Sequence, residues 1–355
     1  MVALVAAAAS QPCGVLKNIS AFLIDLDGTM YKPGGLIPGA QQFVQWLEKT
    51  SKPFVFLSNS GAKGVKGVQA KFMTPPYKLQ DKPISLNQAY TGASAVAHWL
   101  VDHVPPYSRL FIIQGMAKYG ATTDSFVRVM HDIVPPNLLA TWTWRTDLDD
   151  ATTEMWAADL HFKRHNSTFV VLSNDGQIHD IDGDPVTHKA GYTDWSYSLL
   201  SHAQQLLENG APLINQAPDP APWPLRKNGV VLDTPGPGPF VSLLKAAIYP
   251  KGLNSSYTCG KGGNVGNEYM YAQGLRRLRE QGFNGGLHNV AMVGDVLSTD
   301  IKGGQSFGVR TFLVLSGCGT VAQEPFYPGI VPDCVFSGLG EIPNAAGAAS
   351  PSRAP

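Results

Sequence analysis

The sequence predicts an open, parallel α/β sheet interrupted by a second α/β domain. Three observations predict it. Short apolar runs end abruptly on acids or hydroxyls, helix-period segments separate them, and the pattern is suspended in mid-chain before it resumes. A short apolar run closed by a turn signal reads as a strand buried on both faces, the habit of parallel sheets. In such sheets ligands lie just past the carboxyl ends of the strands, so the residues that close each run carry the functional information.

The first run, Ala21-Phe22-Leu23-Ile24, passes into Asp25-Leu26-Asp27-Gly28-Thr29. Leu36-Ile37-Pro38-Gly39 then leads into a helix with Phe43, Val44, Trp46 and Leu47 at helical spacing. Phe54-Val55-Phe56-Leu57 is the second strand and ends on Ser58-Asn59-Ser60-Gly61. Strand, helix and strand of these lengths form a right-handed βαβ unit, which sets Ser58 beside Asp25 at one sheet edge. An apolar-striped helix is predicted over Ala89–Val101, closed by Pro105-Pro106.

From about Tyr107 the texture changes. Arg109–Ile113 and Phe169–Leu172 read as strands, Trp195–Leu207 as a helix, and Leu213-Ile214 opens another strand. Five tryptophans and several prolines crowd this block, and no acid-tipped strand repeats within it. Ser173–Asp194, with Asp182-Gly183-Asp184-Pro185, reads as a polar hairpin or surface insert. The sheet is expected to resume near Lys251 and end near Ile342. Cys259-Gly260-Lys261 forms a glycine-rich turn before a helix over Asn267–Gln281, Val290–Val293 runs into Gly294-Asp295 and on to Asp300, and Val309–Leu315 is the last strand.

Composition limits the functions. With 355 residues the chain is long enough for one large or two ordinary domains. Lysine plus arginine equals aspartate plus glutamate at 27 each, so no global field recruits nucleic acid or an anionic membrane. No apolar run reaches the ~18 residues a membrane span needs. Cys13, Cys259, Cys318 and Cys334 lie far apart without C-x-x-C spacing and are read as reduced thiols of a cytoplasmic protein. The alanine-rich start carries no early Lys or Arg, so residues 1–17 are expected to be an extension rather than a targeting signal. The Ala/Ser/Pro-rich tail, 343–355, is expected to be disordered.

Two carboxylates two positions apart repel unless a cation lies between them or one is protonated. Solvated turn acids are the bland alternative. The ordered set Asp25/Asp27, Ser58, Lys261 and Asp295/Asp300 resembles the four motifs of the haloacid dehalogenase superfamily. Within it the chain is similar to the NagD-like, p-nitrophenylphosphatase-like, phosphoglycolate and pyridoxal phosphate phosphatases, over roughly residues 18 to 340.

That resemblance implies a Rossmann-like catalytic core over 18–106 and 250–342, with an α/β cap domain inserted at 107–249. It implies a Mg²⁺-dependent phosphatase acting on a small phosphorylated metabolite, such as phosphoglycolate or pyridoxal phosphate, and a homodimer formed through the cap. Asp25 would be the nucleophile, forming an aspartyl phosphate, and Asp27 the acid and base. Asp25, the Asp27 carbonyl and Asp295 would hold the metal, with Asp300 orienting a metal water or Lys261. Ser58, the Asn59 amide and Ser60 would bind phosphate, and Lys261 would neutralise it.

Each assignment has a plainer counterpart: a helix-capping turn for Asp295 and Asp300, a Ser/Asn turn for Ser58, a surface lysine for Lys261. Gly262-Gly263 follows Lys261 where the family usually has proline, which loosens that loop. The Gly260–Gly266 run fits neither nucleotide-loop fingerprint. Gln216-Ala217-Pro218-Asp219 and Thr234-Pro235-Gly236-Pro237-Gly238 resemble the cap's T-N-x-D and P-G-x-G segments, with alanine at the asparagine position. Asp219 is thereby expected to face the substrate. His161-Phe162-Lys163-Arg164-His165 reads as a charged run at a strand edge, either solvated or anion-binding. A phosphomutase and a non-catalytic binding protein are the competing functions.

Overall fold

The computed structural model describes residues 13–32, 34–59, 64–114, 126–165, 167–173, 197–219, 226–227, 230–231, 237–248, 255–265, 268–317 and 329–348. Along the chain run β1 (Ala21–Ile24), α1 (Ala40–Lys49), β2 (Phe54–Ser58), α2 (Gly64–Met73), β3 (Ala89–Thr91), α3 (Gly92–His103) and β4 (Arg109–Gln114). Then come α4 (Phe126–Ile133), β5 (Thr143–Arg145), α5 (Asp150–His161), β6 (Thr168–Ser173), α6 (Tyr197–Glu208), β7 (Leu213–Asn215), α7 (Pro237–Ala247) and β8 (Ser256–Thr258). The chain closes with α8 (Glu268–Glu280), β9 (Val290–Gly294), α9 (Lys302–Phe307), β10 (Arg310–Val314), β11 (Cys334–Phe336) and α10 (Glu341–Ala348).

Two units emerge: Met1–Ser58, Val68–Tyr90 and Asn267–Pro355 form the first, Asn59–Gly67 and Thr91–Gly266 the second. The first holds a six-stranded sheet in the order β11-β10-β9-β1-β2-β3. Strand β1 pairs in parallel with β9 and β2, with Ile24 level with Val293 and Phe56. Every residue of β1, β2 and β9 is buried, as continuous apolar runs in a doubly covered sheet require. From β1 the chain builds outward to β2 and β3 on one side and through β9, β10 and β11 on the other. The strand order therefore reverses between β1 and β9, the place where ligands bind in open α/β sheets.

Helix α1 buries Phe43, Val44 and Leu47, and Phe22 meets Phe43 edge-on at 5.6 Å. Helix α8 comes close to the sheet because Gly274 has no side chain: a Cβ there would stand 2.9 Å from Leu23 Cδ2.

The second unit is a five-stranded parallel sheet, β8-β7-β6-β4-β5. Its core includes Phe111, Trp156, Leu172, Leu206, Leu213 and Leu244.

Several expectations are corrected. The strand before the lysine turn, β8, pairs with β7, so Lys261 belongs to the second sheet and not to a resumed first one. The predicted helix at Ala89 begins only at Gly92, because Ala89–Thr91 is an edge strand. Val309–Leu315 is not the last strand, since β11 adds beside it. His161–His165 closes helix α5 instead of edging a strand, and Arg164 pairs with Asp159 at 3.6 Å. Cys13 and Cys334 form a disulfide, against the reading of four reduced thiols, because their Cα atoms lie 5.5 Å apart; Cys259 is free and buried.

The stretch read as an extension is partly packed, with Leu16 buried, and α10 reaches into the predicted tail. Ser60, Cys318, the insert after Ser173, most of the P-G-x-G segment and both chain ends lie outside the described residues. Among the described residues no helix is long and apolar enough to cross a membrane.

Candidate active site

Adjacent strands deliver the first group of acids. Asp25 follows β1 and its amide donates to Val293 O at 2.8 Å, while Asp295 follows β9 directly. Asp300 arrives from a π-helical turn over Leu297–Ile301, in which Val296 O accepts from both Asp300 N and Ile301 N. Such turns cost helix regularity and concentrate at functional sites. Each of Asp25, Asp295 and Asp300 offers a carboxylate oxygen within 4.8 Å of the others, and all three residues are buried. Buried like charges this close repel. An all-oxygen donor set with this charge suits a hard divalent cation.

Glycines shape the cluster. Gly28 adopts φ +90°, and a Cβ there would stand 2.3 Å from Asp295 Oδ2. At Gly317 the same atom would come within 2.0 Å, and at Gly294 a Cβ would stand 2.2 Å from Asp300 Oδ2. The D-x-D-G glycine thus makes the tight turn and leaves room for the facing acid. Asp300 Oδ2 accepts from the Val296 amide at 3.0 Å, and Thr29 Oγ1 donates to Asp295 Oδ1 at 3.3 Å.

Asp27 lies outside the three-acid cluster and accepts a hydrogen bond from the Tyr31 hydroxyl at 3.3 Å. Burial, then the charges of Asp27 and Asp25, push the Tyr31 phenol well above its ordinary pKa, so it stays a donor. Ser58 closes β2 and is buried, so Asp25, Ser58 and Asp295 follow three neighbouring strands.

In the second unit Lys261 and Asp219 converge on Asn59. The Asn59 Nδ2 donates to Asp219 Oδ2 at 2.8 Å and to Lys261 O at 3.0 Å, while Lys261 N donates to Asn59 Oδ1 at 2.7 Å. Gln216 Nε2 donates to Asn59 O at 2.7 Å. A Cβ at Gly260 would stand 2.5 Å from Asn59 Oδ1, so that glycine is what admits the carboxamide. Lys261 is 2 % exposed, and burial of its neighbour Cys259 pushes that thiol pKa up. Gly238, the last residue of the P-G-x-G segment, donates its amide to Asp219 O at 2.9 Å.

Three residues escape sequence reasoning. Tyr271 donates its buried hydroxyl toward Thr299 O and Asp300 O, each at 3.0 Å, and so steadies the π-helical turn. Tyr31 and the Asn59 side chain are the other two. Only the turn-forming glycines around them leave a trace in the sequence.

Two family models match the chain: a haloacid dehalogenase-like hydrolase over residues 22–119 and a HAD-hydrolase-like model over 266–342. Acid sugar phosphatase of Staphylococcus epidermidis is 24% identical over 307 residues, covering 86% of this chain and 90% of its own. Dihydroxyacetone phosphatase of Corynebacterium glutamicum is 27% identical over 316 residues, covering 88% and 86%. The fold is shared with 4-nitrophenylphosphatase of Thermotoga maritima (TM-score 0.63, 24% identity, 94% of this chain, 99% of that one). It is shared as well with glycerol phosphate phosphatase of Mycobacterium tuberculosis solved with calcium (TM-score 0.61, 19% identity, 92% and 76%). With acids at the reversal of its parallel sheet and these relatives along nearly its whole length, the chain belongs to the haloacid dehalogenase-like hydrolases.

Proposed function

We propose that the protein is a Mg²⁺-dependent phosphatase that hydrolyses a small phosphomonoester through an aspartyl phosphate on Asp25. The observation that carries this reading is the buried cluster of Asp25, Asp295 and Asp300 beyond adjacent parallel strands. Phosphoryl transfer needs a nucleophile, a proton donor to the leaving group and positive charge around the oxygens.

Asp25 attacks phosphorus, and the bond to the leaving oxygen breaks as Asp27 gives that oxygen its proton. Water then attacks the aspartyl phosphate, its proton passes to Asp27, and inorganic phosphate leaves with Asp25 regenerated. Asp25, the Asp27 carbonyl and Asp295 would hold Mg²⁺, with Asp300 behind them. Bound Mg²⁺ supplies the charge that lets a carboxylate approach a phosphate. Ser58, the Asn59 amide and Ser60 take the phosphate oxygens, and Lys261 neutralises them.

Asp219 is assigned to the leaving group. An acid there disfavours anionic leaving groups and favours hydroxylated or cationic ones; the hydroxylated class is in keeping with the sugar, dihydroxyacetone and glycerol phosphates in the relatives' names. Hydrolysis of p-nitrophenyl phosphate with Mg²⁺, after chelation and with excess Ca²⁺ tests the reading. Activity is expected only with Mg²⁺ and is expected to fall with Ca²⁺, which favours longer bonds and higher coordination numbers than Mg²⁺. Full activity in chelated protein contradicts it.

A further inference from the structure

Asn59 is the first residue of the second unit, and its side chain is almost wholly engaged there. The carboxamide closes a two-bond ring with the main chain of Lys261 and spends its second N–H on the carboxylate of Asp219. Its own carbonyl is held by Gln216, whose Oε1 in turn accepts from Ser173 Oγ at 2.9 Å. Gly92 makes room on the other side: a Cβ there would stand 2.6 Å from Asn59 O. Asn59 is 8% exposed, so these bonds form away from water, where a broken partner leaves an unsatisfied group.

The lysine turn needs such a hold. Gly262 sits at φ +75° and Gly263 follows it, so the turn has none of the stiffness a proline would bring. Within the turn, Gly263 N donates to Gly260 O, and Asn264 ties back to Thr258 N and Ser256 O. None of these bonds engages the Lys261 peptide itself, and Asn59 does so at both its N–H and its C=O.

We infer that the Asn59 carboxamide is a positioning clamp that fixes the Lys261 main chain and the Asp219 carboxylate together, so that phosphate anchoring and leaving-group selection are coupled through it. This rests on the phosphatase reading for the roles of Lys261 and Asp219, but the clamp itself does not. An amide is the side chain that can do this, since it accepts from one peptide N–H while donating to a carbonyl and a carboxylate. Aspartate at position 59 would set a charge against two acceptors.

The test uses Asn59→Ala, Asp219→Ala and the double variant of the full chain, with Asn59→Asp and Asn59→Asp/Asp219→Asn as a second pair. Hydrogen exchange at the Lys261 amide is read in each, together with inhibition by inorganic phosphate and the selectivity between glycerol phosphate and p-nitrophenyl phosphate. A protected Lys261 amide is expected in the unmodified protein, with protection lost in Asn59→Ala. Phosphate inhibition should weaken about tenfold in that variant, as for loss of a supporting partner. Selectivity should shift as in Asp219→Ala, and the double variant should shift no further, because contacting residues are non-additive.

An unprotected amide in the unmodified protein, or selectivity effects that add, overturns the clamp. Should Asn59→Ala not fold, Asn59→Asp/Asp219→Asn restores one donor–acceptor pair and must recover protection of the Lys261 amide relative to Asn59→Asp alone; no recovery overturns the clamp equally. Absence of hydrolysis in the unmodified protein defeats the phosphatase reading, while the exchange measurement still judges the clamp.

Discussion

The Tyr31 hydroxyl donates a hydrogen bond to Asp27 Oδ2 at 3.3 Å from within a buried aromatic setting. Tyr31 packs edge-on against Phe72 at 6.0 Å and Tyr77 at 5.5 Å, and its phenol is held protonated by burial and the nearby acids. The bond fixes which way the Asp27 carboxyl points. If Asp27 protonates the leaving oxygen, its aim counts most for leaving groups that cannot depart as anions. Tyr31→Phe should slow hydrolysis of glycerol phosphate by about tenfold, a fraction of a full general-acid contribution. Its effect on p-nitrophenyl phosphate, with a stable phenolate leaving group, should be much smaller. Comparing kcat on the two substrates decides it, and equal losses would count against an orienting role.

Gly317 stands where any side chain would collide with Asp295, a Cβ falling 2.0 Å from its Oδ2. Displacing a ligand or its support typically lowers metal affinity by roughly 10–100-fold. Gly317→Ala should therefore raise the Mg²⁺ concentration needed for half-maximal activity by at least roughly tenfold. A titration of activity against Mg²⁺ measures this. An unchanged half-saturation point would place the metal elsewhere.

The disulfide from Cys13 to Cys334 ties the start of the described chain to edge strand β11 across a separation of 321 residues. Cross-linking a long loop restricts the unfolded state and stabilises by typically about 2–4 kcal/mol. Cys334→Ser, or reduction of the unmodified protein, should lower the unfolding midpoint. In alkylation mapping under denaturing conditions, Cys13 and Cys334 should react only after reduction. Alkylation of both without reductant would refute the pairing.

The readable parts of the chain were those where one local physical cause dominates. Strands β1, β2 and β9 announce themselves as apolar runs because both faces are buried, and the acids closing β1 and β9 stand out against them. Strands β3 and β11 are three residues long, too short to show a period of their own. Helix α5 leaves no clear helical period because Asp150, Thr152, Thr153 and Asp159 interrupt its apolar positions; Thr153 is buried nonetheless, with its hydroxyl donated to Asp149 O.

The candidate residues divide in the same way. The position of Asp25 and Asp295 past β1 and β9 is legible from residue type and place, whereas the bonds of the Asn59 side chain depend on Asp219 and Lys261, which lie 160 and 202 positions away. The pairing of β8 with β7, which puts the lysine turn after the second sheet, is a tertiary choice that its sequence does not encode locally.

Turnover through the proposed route requires phosphorylation of Asp25. The most direct measurement is mass spectrometry of peptides from protein quenched in acid during turnover of p-nitrophenyl phosphate with Mg²⁺. One added phosphoryl group is expected on the peptide containing Asp25. Neither that adduct nor turnover is expected in Asp25→Asn, a near-isosteric change that removes the nucleophile and one charge from a crowded acid cluster while the fold survives. Turnover near the unmodified rate in folded Asp25→Asn, or a phosphoryl group trapped on a different residue, would contradict it.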